Sequence, residues 1–176
     1  MELKELTDKT LELLEINNTD QMSSRLFEVV KNNSNQIYEQ FIELVSNDLS
    51  IDWLQKIFQY YQADRKDKMQ DYTPKSLADF MGLLAGESEN IIDMCAGSGA
   101  LTIQKWNRNH NLKFILYEFD EKVIPFLLFN MAIRNISCTV CHSDVLQMEV
   151  FKTYKIIKGE SFGIFKEVEN EHFTNF

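Results

Sequence analysis

Apolar residues recur at helical spacing through the first third of the chain. Leu3, Leu6, Leu11, Leu13, Leu14 and Ile16 mark one amphipathic helix. Met22 to Val30, Ile37 to Val45 and Trp53 to Tyr61 mark three more, with Asn17-Asn18 and Asn32-Asn33 as breaks between them. The helical period returns from Lys75 to Ala85, where Leu77, Phe80, Met81 and Leu84 share a face. Thr73 suits the N-cap of that helix and Pro74 its first turn. Beyond residue 90 the pattern changes to short apolar runs, each closed by an acid: Ile91-Ile92 before Asp93, Leu112 to Tyr117 before Glu118, and Ser137 to Ser143 before Asp144. A helix is expected from Ala100 to Asn109, and Phe162 to Phe165 reads as a fourth strand.

This order of elements predicts an α/β protein: a helical N-terminal region over residues 1–64 and a Rossmann-like domain over 65–176. With 176 residues the chain can bury one core with a small helical bundle beside it. About four strands are expected, roughly the cofactor-binding half of such a sheet. A half-sheet leaves an apolar edge that invites pairing, so a homodimer or a hetero-oligomer with a larger subunit is expected.

The sharpest local feature is Ile91-Ile92-Asp93-Met94-Cys95-Ala96-Gly97-Ser98-Gly99. A buried strand breaks into an acid and two glycines, which permit a tight turn and close backbone approach to a ligand before the next helix. Strand, turn and helix together leave free backbone N–H groups aimed at that ligand. The spacing Asp-x-x-x-Gly-x-Gly lacks the third glycine of a dinucleotide fingerprint and the Gly-Lys-Ser/Thr end of a phosphate loop, which disfavours NAD and ATP. By itself the segment also fits an ordinary strand-to-helix turn. Glu118, about 20 residues beyond the glycines at the end of the next strand, sits where such folds place the acid that accepts the ribose hydroxyls.

The glycine segment resembles the first motif of S-adenosylmethionine-dependent methyltransferases. Gln70-Asp71-Tyr72-Thr73-Pro74 resembles the Phe/Tyr-Thr-Pro element of amino-methyltransferases acting on DNA adenine, especially modification subunits of restriction systems and their relatives in phages and mobile elements. Asp71 stands where that family has the first of two aromatic residues. The resemblance runs from Asp52 to Asp144 and implies S-adenosylmethionine as cofactor. It places Tyr72, Thr73 and Pro74 over the methionine end and Asp93, Cys95, Ala96, Gly97, Ser98 and Gly99 around the loop. It further assigns Glu118 to the ribose, Phe119 to the adenine ring, and Asp144 with Val145 to the adenine amino group.

Such methyltransferases carry Asp/Asn-Pro-Pro-Tyr/Phe after the next strand, where it holds the target amine and stacks on the flipped base. The only prolines here are Pro74 and Pro125, and the corresponding stretch reads Glu160 to Asn170 without a Pro-Pro pair. No catalytic residue is therefore assigned, and Asn170 is not promoted to one. Three readings follow: a DNA adenine methyltransferase completed by a partner, a catalytically silent cofactor-binding or interaction module, and an RNA methyltransferase. The last rests on the likeness of Cys95 to Leu101 to the first motif of small ribosomal RNA guanine methyltransferases.

A net charge of −9 opposes autonomous DNA binding, since phosphate contacts need Lys and Arg. The cluster Arg65, Lys66 and Lys68 reads as a solvated linker. Cys138-x-x-Cys141-His142 looks like half a metal site, but on a strand its two thiols point to opposite faces, so no metal is expected. Three cysteines and the lack of a signal-like or membrane-spanning run lead to the expectation of a reduced, cytoplasmic protein.

Overall fold

The computed structural model describes residues 2–61, 73–84, 86 and 88–168. Tyr72, the cations Arg65, Lys66 and Lys68, and Asn170 lie outside the described residues.

Five helices precede the sheet: α1 (Leu3–Leu13), α2 (Met22–Lys31), α3 (Asn35–Leu44), α4 (Trp53–Tyr61) and α5 (Lys75–Leu84). A short 3-10 turn, Thr19–Gln21, is capped by the Asn18 side chain, which accepts the Asp20 N–H. Helices α1, α2 and α3 stop in the same way, with a residue in the left-handed region just past the C-cap. Those residues are Glu15, Asn33 and Ser46, at φ of 56°, 48° and 56°. In α1 the Ile16 N–H reaches the Leu11 carbonyl and the Glu15 N–H that of Glu12, which closes the last turn and satisfies carbonyls the helix leaves open. The apolar pattern to Ile16 thus overshoots the helix: Ile16 packs back on the core from outside it.

Strand β1 (Asn90–Asp93), helix α6 (Ala100–Arg108), strand β2 (Lys113–Glu118), helix α7 (Ile124–Ile133) and strand β3 (Cys138–Asp144) form two βαβ units with parallel pairing throughout. Two further strands, β4 (Glu149–Ile157) and β5 (Ile164–Val168), then turn back as an antiparallel meander, and the spatial order is β1-β2-β3-β4-β5. The sheet has five strands where about four were expected. The additional one is β4, where Lys152 and Lys155 interrupt the apolar signal and only Tyr154 and Ile156 point firmly into the core.

Cross-strand partners Ile91, Phe114, Cys138, Ile156 and Phe165 form one row of the core face, from half-buried Ile91 to the four buried residues beyond it. Against that face lies α7, all ten of whose residues are buried because α2 and α3 cover its outer side. Tyr38 and Phe41 of α3 meet Phe129 edge-on at centroid distances of 5.4 Å and 5.3 Å, and Phe27 of α2 does the same with Tyr154 and Phe165. The apolar cluster runs without interruption from Leu6 to Phe165. Among the described residues no helix is long and apolar enough to cross a membrane.

Candidate functional site

The loop after β1 is built from its backbone outward. Asp93 ends the strand, and its Oδ1 accepts the Cys95 N–H at 3.2 Å, turning the chain. Burial raises the Asp93 carboxyl above its ordinary range, and the Cys95 N–H opposes that shift. Ala96 N–H then donates to the Tyr117 carbonyl of β2 at 2.8 Å, which fastens the loop to the neighbouring strand. Gly97 and Gly99 take φ of 56° and 100°. At Gly99 a Cβ would fall 2.9 Å from Met131 Cε and 3.0 Å from Leu127 Cδ1, so both the backbone conformation and the closeness of α7 require glycine. Gly99 is also the N-cap of α6 and supplies no side-chain acceptor. The first-turn N–H groups of α6 therefore face a partner from outside the helix, at the end where the helix dipole favours negative charge.

Glu118 closes the site from β2. Its Oε2 accepts the Gly97 N–H at 2.7 Å, and its Oε1 accepts the N–H groups of Phe119 and Asp120 at 2.9 Å and 2.8 Å. Three donors occupy three of the roughly four lone-pair directions of a carboxylate, which leaves about one for a ligand hydroxyl. Glu118 is thus a brace of the loop as well as the acid expected at the ribose position. Phe119 follows with its ring 64% exposed, and its carbonyl lies 3.1 Å from His142 Nε2 of β3. Asp144 ends β3, and its Oδ1 accepts the N–H groups of Leu146 and Gln147, forming the turn into β4 with Val145 inside it.

Hydrogen bonds therefore join Cys95 to Asp93, Ala96 to Tyr117 and Gly97 to Glu118, and Ser98 and Gly99 complete the loop, while Phe119 follows Glu118 and Asp144 ends β3, one strand further from β1. Thr73 and Pro74 immediately precede α5, which packs on α6. Helix α5 begins at Lys75, and the Pro74 carbonyl takes the Ala78 N–H, so Pro74 holds the cap position and lies one residue before its expected place inside the helix. Cys95 is exposed, whereas Cys138 and Cys141 are buried, and burial pushes the Cys138 thiol up to about 12. Among the described residues no three His, Cys, Asp or Glu side chains are grouped as a metal site would need.

Asn130 and Asp52 were not singled out by sequence reasoning. Asn130 donates to the Ser98 carbonyl inside the glycine loop and to Asp52 Oδ1, both at 2.9 Å. The signal was present: one amide in the otherwise apolar run Ile124 to Ile133, at a depth where a polar group requires partners.

A glycine loop after the first of two parallel strands, bonded to an acid at the end of the second, belongs to an α/β protein of Rossmann-like architecture. The family model described as N-6 DNA methylase matches residues 45–165, more than half of the chain, and the chain belongs to that family. No curated protein and no solved structure matches it. The family generally uses S-adenosylmethionine.

Proposed function

We propose that the chain binds S-adenosylmethionine at the glycine loop and forms the cofactor-holding part of an adenine-N6 DNA methyltransferase whose amine-binding element comes from a partner subunit. The observation that carries this reading is the 2.7 Å bond between the Gly97 N–H and Glu118 Oε2, which closes a positive-φ glycine loop with the carboxylate at the ribose position. The donor set fits the group. The uncapped N-terminus of α6 suits the methionine carboxylate, the remaining acceptor capacity of Glu118 suits a ribose hydroxyl, and the exposed ring of Phe119 suits an adenine face. Asp144 would receive the adenine amino group through the oxygen that its turn does not use. The bound cofactor supplies a methyl group on a sulfonium, transferable to an exocyclic amine.

The net charge of −9 supports a partner that brings the DNA-binding surface. The chain is read as cytoplasmic, in keeping with that substrate. Titration calorimetry with S-adenosylmethionine and with S-adenosylhomocysteine tests the reading: micromolar binding of either is expected, and no heat from both overturns it. Methyl transfer to DNA is then expected only when the product of a neighbouring methyltransferase gene is added.

One observation favours the second reading, a catalytically silent cofactor-binding module. After β3 the chain spends β4 and β5 on the far side of the sheet from β1, and the only prolines are Pro74 and Pro125. Cofactor binding without transfer to DNA or RNA under any pairing of subunits selects that reading.

A further inference from the structure

Residues 49–52, between α3 and α4, form no regular element, yet they are held at every position. The carbonyls of Leu49 and Ile51 accept Arg134 Nε and Nη2 of the α7 C-cap at 3.0 Å and 2.8 Å. The Ser50 carbonyl accepts Gln104 Nε2 and Asn107 Nδ2 of α6 at 2.8 Å and 3.1 Å. Asp52 completes the strap: its Oδ1 takes the Gln55 N–H, capping α4, and one amide hydrogen of Asn130. Asn130 sends its other amide hydrogen to the Ser98 carbonyl, and its Oδ1 accepts Arg134 Nη1 at 2.9 Å. Both donors of this side chain are used, one on the strap and one on the glycine loop.

We propose that Asn130 is a positioning residue for the cofactor loop, holding the Ser98 carbonyl against the Leu49–Asp52 strap so that the α6 N-terminus stays aimed at its ligand. This rests on the cofactor reading above. Ser98 stands between two glycines in the left-handed region, residue types with the widest backbone freedom in the chain, so a bond from outside the loop is what fixes its carbonyl. Asn130 and Ser98 are each 1% exposed and Asp52 is 3% exposed, so solvent does not replace a bond that is lost. Ser98 Oγ and Asp52 Oδ2 lack partners of ordinary hydrogen-bond geometry. The Ser98 hydroxyl is nonetheless near enough to oppose the rise that burial imposes on the Asp52 carboxyl, with Gln55, Arg134 and Asn130 acting in the same sense. The strap and the loop therefore share one buried polar network that reaches across 78 residues of chain.

The test compares Asn130→Ser, which can donate only one hydrogen, with Phe129→Leu, a neighbour on the same helix whose ring lies against Tyr38 and Phe41. Amide hydrogen exchange of residues 96–100 in the cofactor-free protein and calorimetric affinity for S-adenosylhomocysteine are the two readouts. Asn130→Ser is expected to speed loop exchange relative to β3 by about tenfold and to weaken binding by about tenfold, while Phe129→Leu changes neither relative to its loss of melting temperature. Asp52→Ala removes the far anchor together with the cap of α4 and serves if Asn130→Ser does not fold; relative to β3 it moves the same amides in the same direction by less. Asp52→Asn keeps the accepting oxygen and restores most of that change. Equal loop exchange in the Asn130 and Phe129 variants, or an unmoved loop in Asp52→Ala, overturns the assignment. If the wild-type protein binds neither ligand, the cofactor reading fails while the exchange comparison still decides the role of Asn130.

Discussion

Strands β1 and β3 both run parallel to β2, yet they are held by different forces. β3 has a strand on each side, and Val140 and Cys141 at its centre are 0% and 2% exposed. β1 pairs only with β2 among the described residues, and Ile92 at its centre is 60% exposed. The strand that carries the glycine loop is thus the one with least burial. What the margin lacks in apolar contact it receives as directional bonds: Ala96 to Tyr117, Gly97 to Glu118 and Ser98 to Asn130. Stability resides in the packing around α7 and β3, and the geometry of the site resides in hydrogen bonds, so the two are separable by mutation.

The largest expected effect tests the packed side. Phe129→Ala opens a cavity beneath Tyr38 and Phe41 and is expected to cost about 3–5 kcal/mol of unfolding free energy, measured by urea denaturation, with cofactor affinity per folded molecule unchanged. A loss of affinity in proportion would mean that packing and site are one unit. On the hydrogen-bonded side, Glu118→Ala removes the brace on Gly97 and the proposed ribose acceptor together. It is expected to weaken S-adenosylhomocysteine binding by about 1–3 kcal/mol with little change in melting temperature, and an unchanged affinity would reduce Glu118 to a strand-end acid. The smallest effect belongs to the open margin: Ile92→Thr is expected to shift stability by no more than about 0.5 kcal/mol. A larger loss that depends on protein concentration would show that a second chain covers β1.

The same division explains what could be read in the sequence. Glycines and strand-end acids announce themselves, so β1, its loop, α6, β2 and β3 were legible, whereas the bond of Glu118, expected as the ribose acid, to the Gly97 N–H was not. The N-terminal helices were legible from their period, though the left-handed Glu15 ends the first of them earlier than its apolar pattern does. Helix α7 escaped because Ile124 to Ile133 is apolar all round and has no period to detect; a helix covered on both sides needs none. β4 escaped because Lys152, at the exposed start of the row that Tyr154 and Ile156 continue inward, and Lys155 on the other row break up its apolar pattern. Pairings between distant residues, such as Asp52 with Asn130, leave no local pattern at all.

The sheet repeats in space the order of its strands in the chain. During synthesis each strand can dock on the one made just before it, and no strand has to wait for a later one to be inserted beside it. Contacts of this short sequence separation favour rapid assembly because little chain must be closed for each. The strap is the opposite case: Leu49 leaves the ribosome 85 residues ahead of the arginine that holds its carbonyl. The glycine loop is therefore made with its strand but locked only when α7 arrives, after β1 and β2 and before the other three strands, so the loop takes its final shape midway through assembly of the sheet.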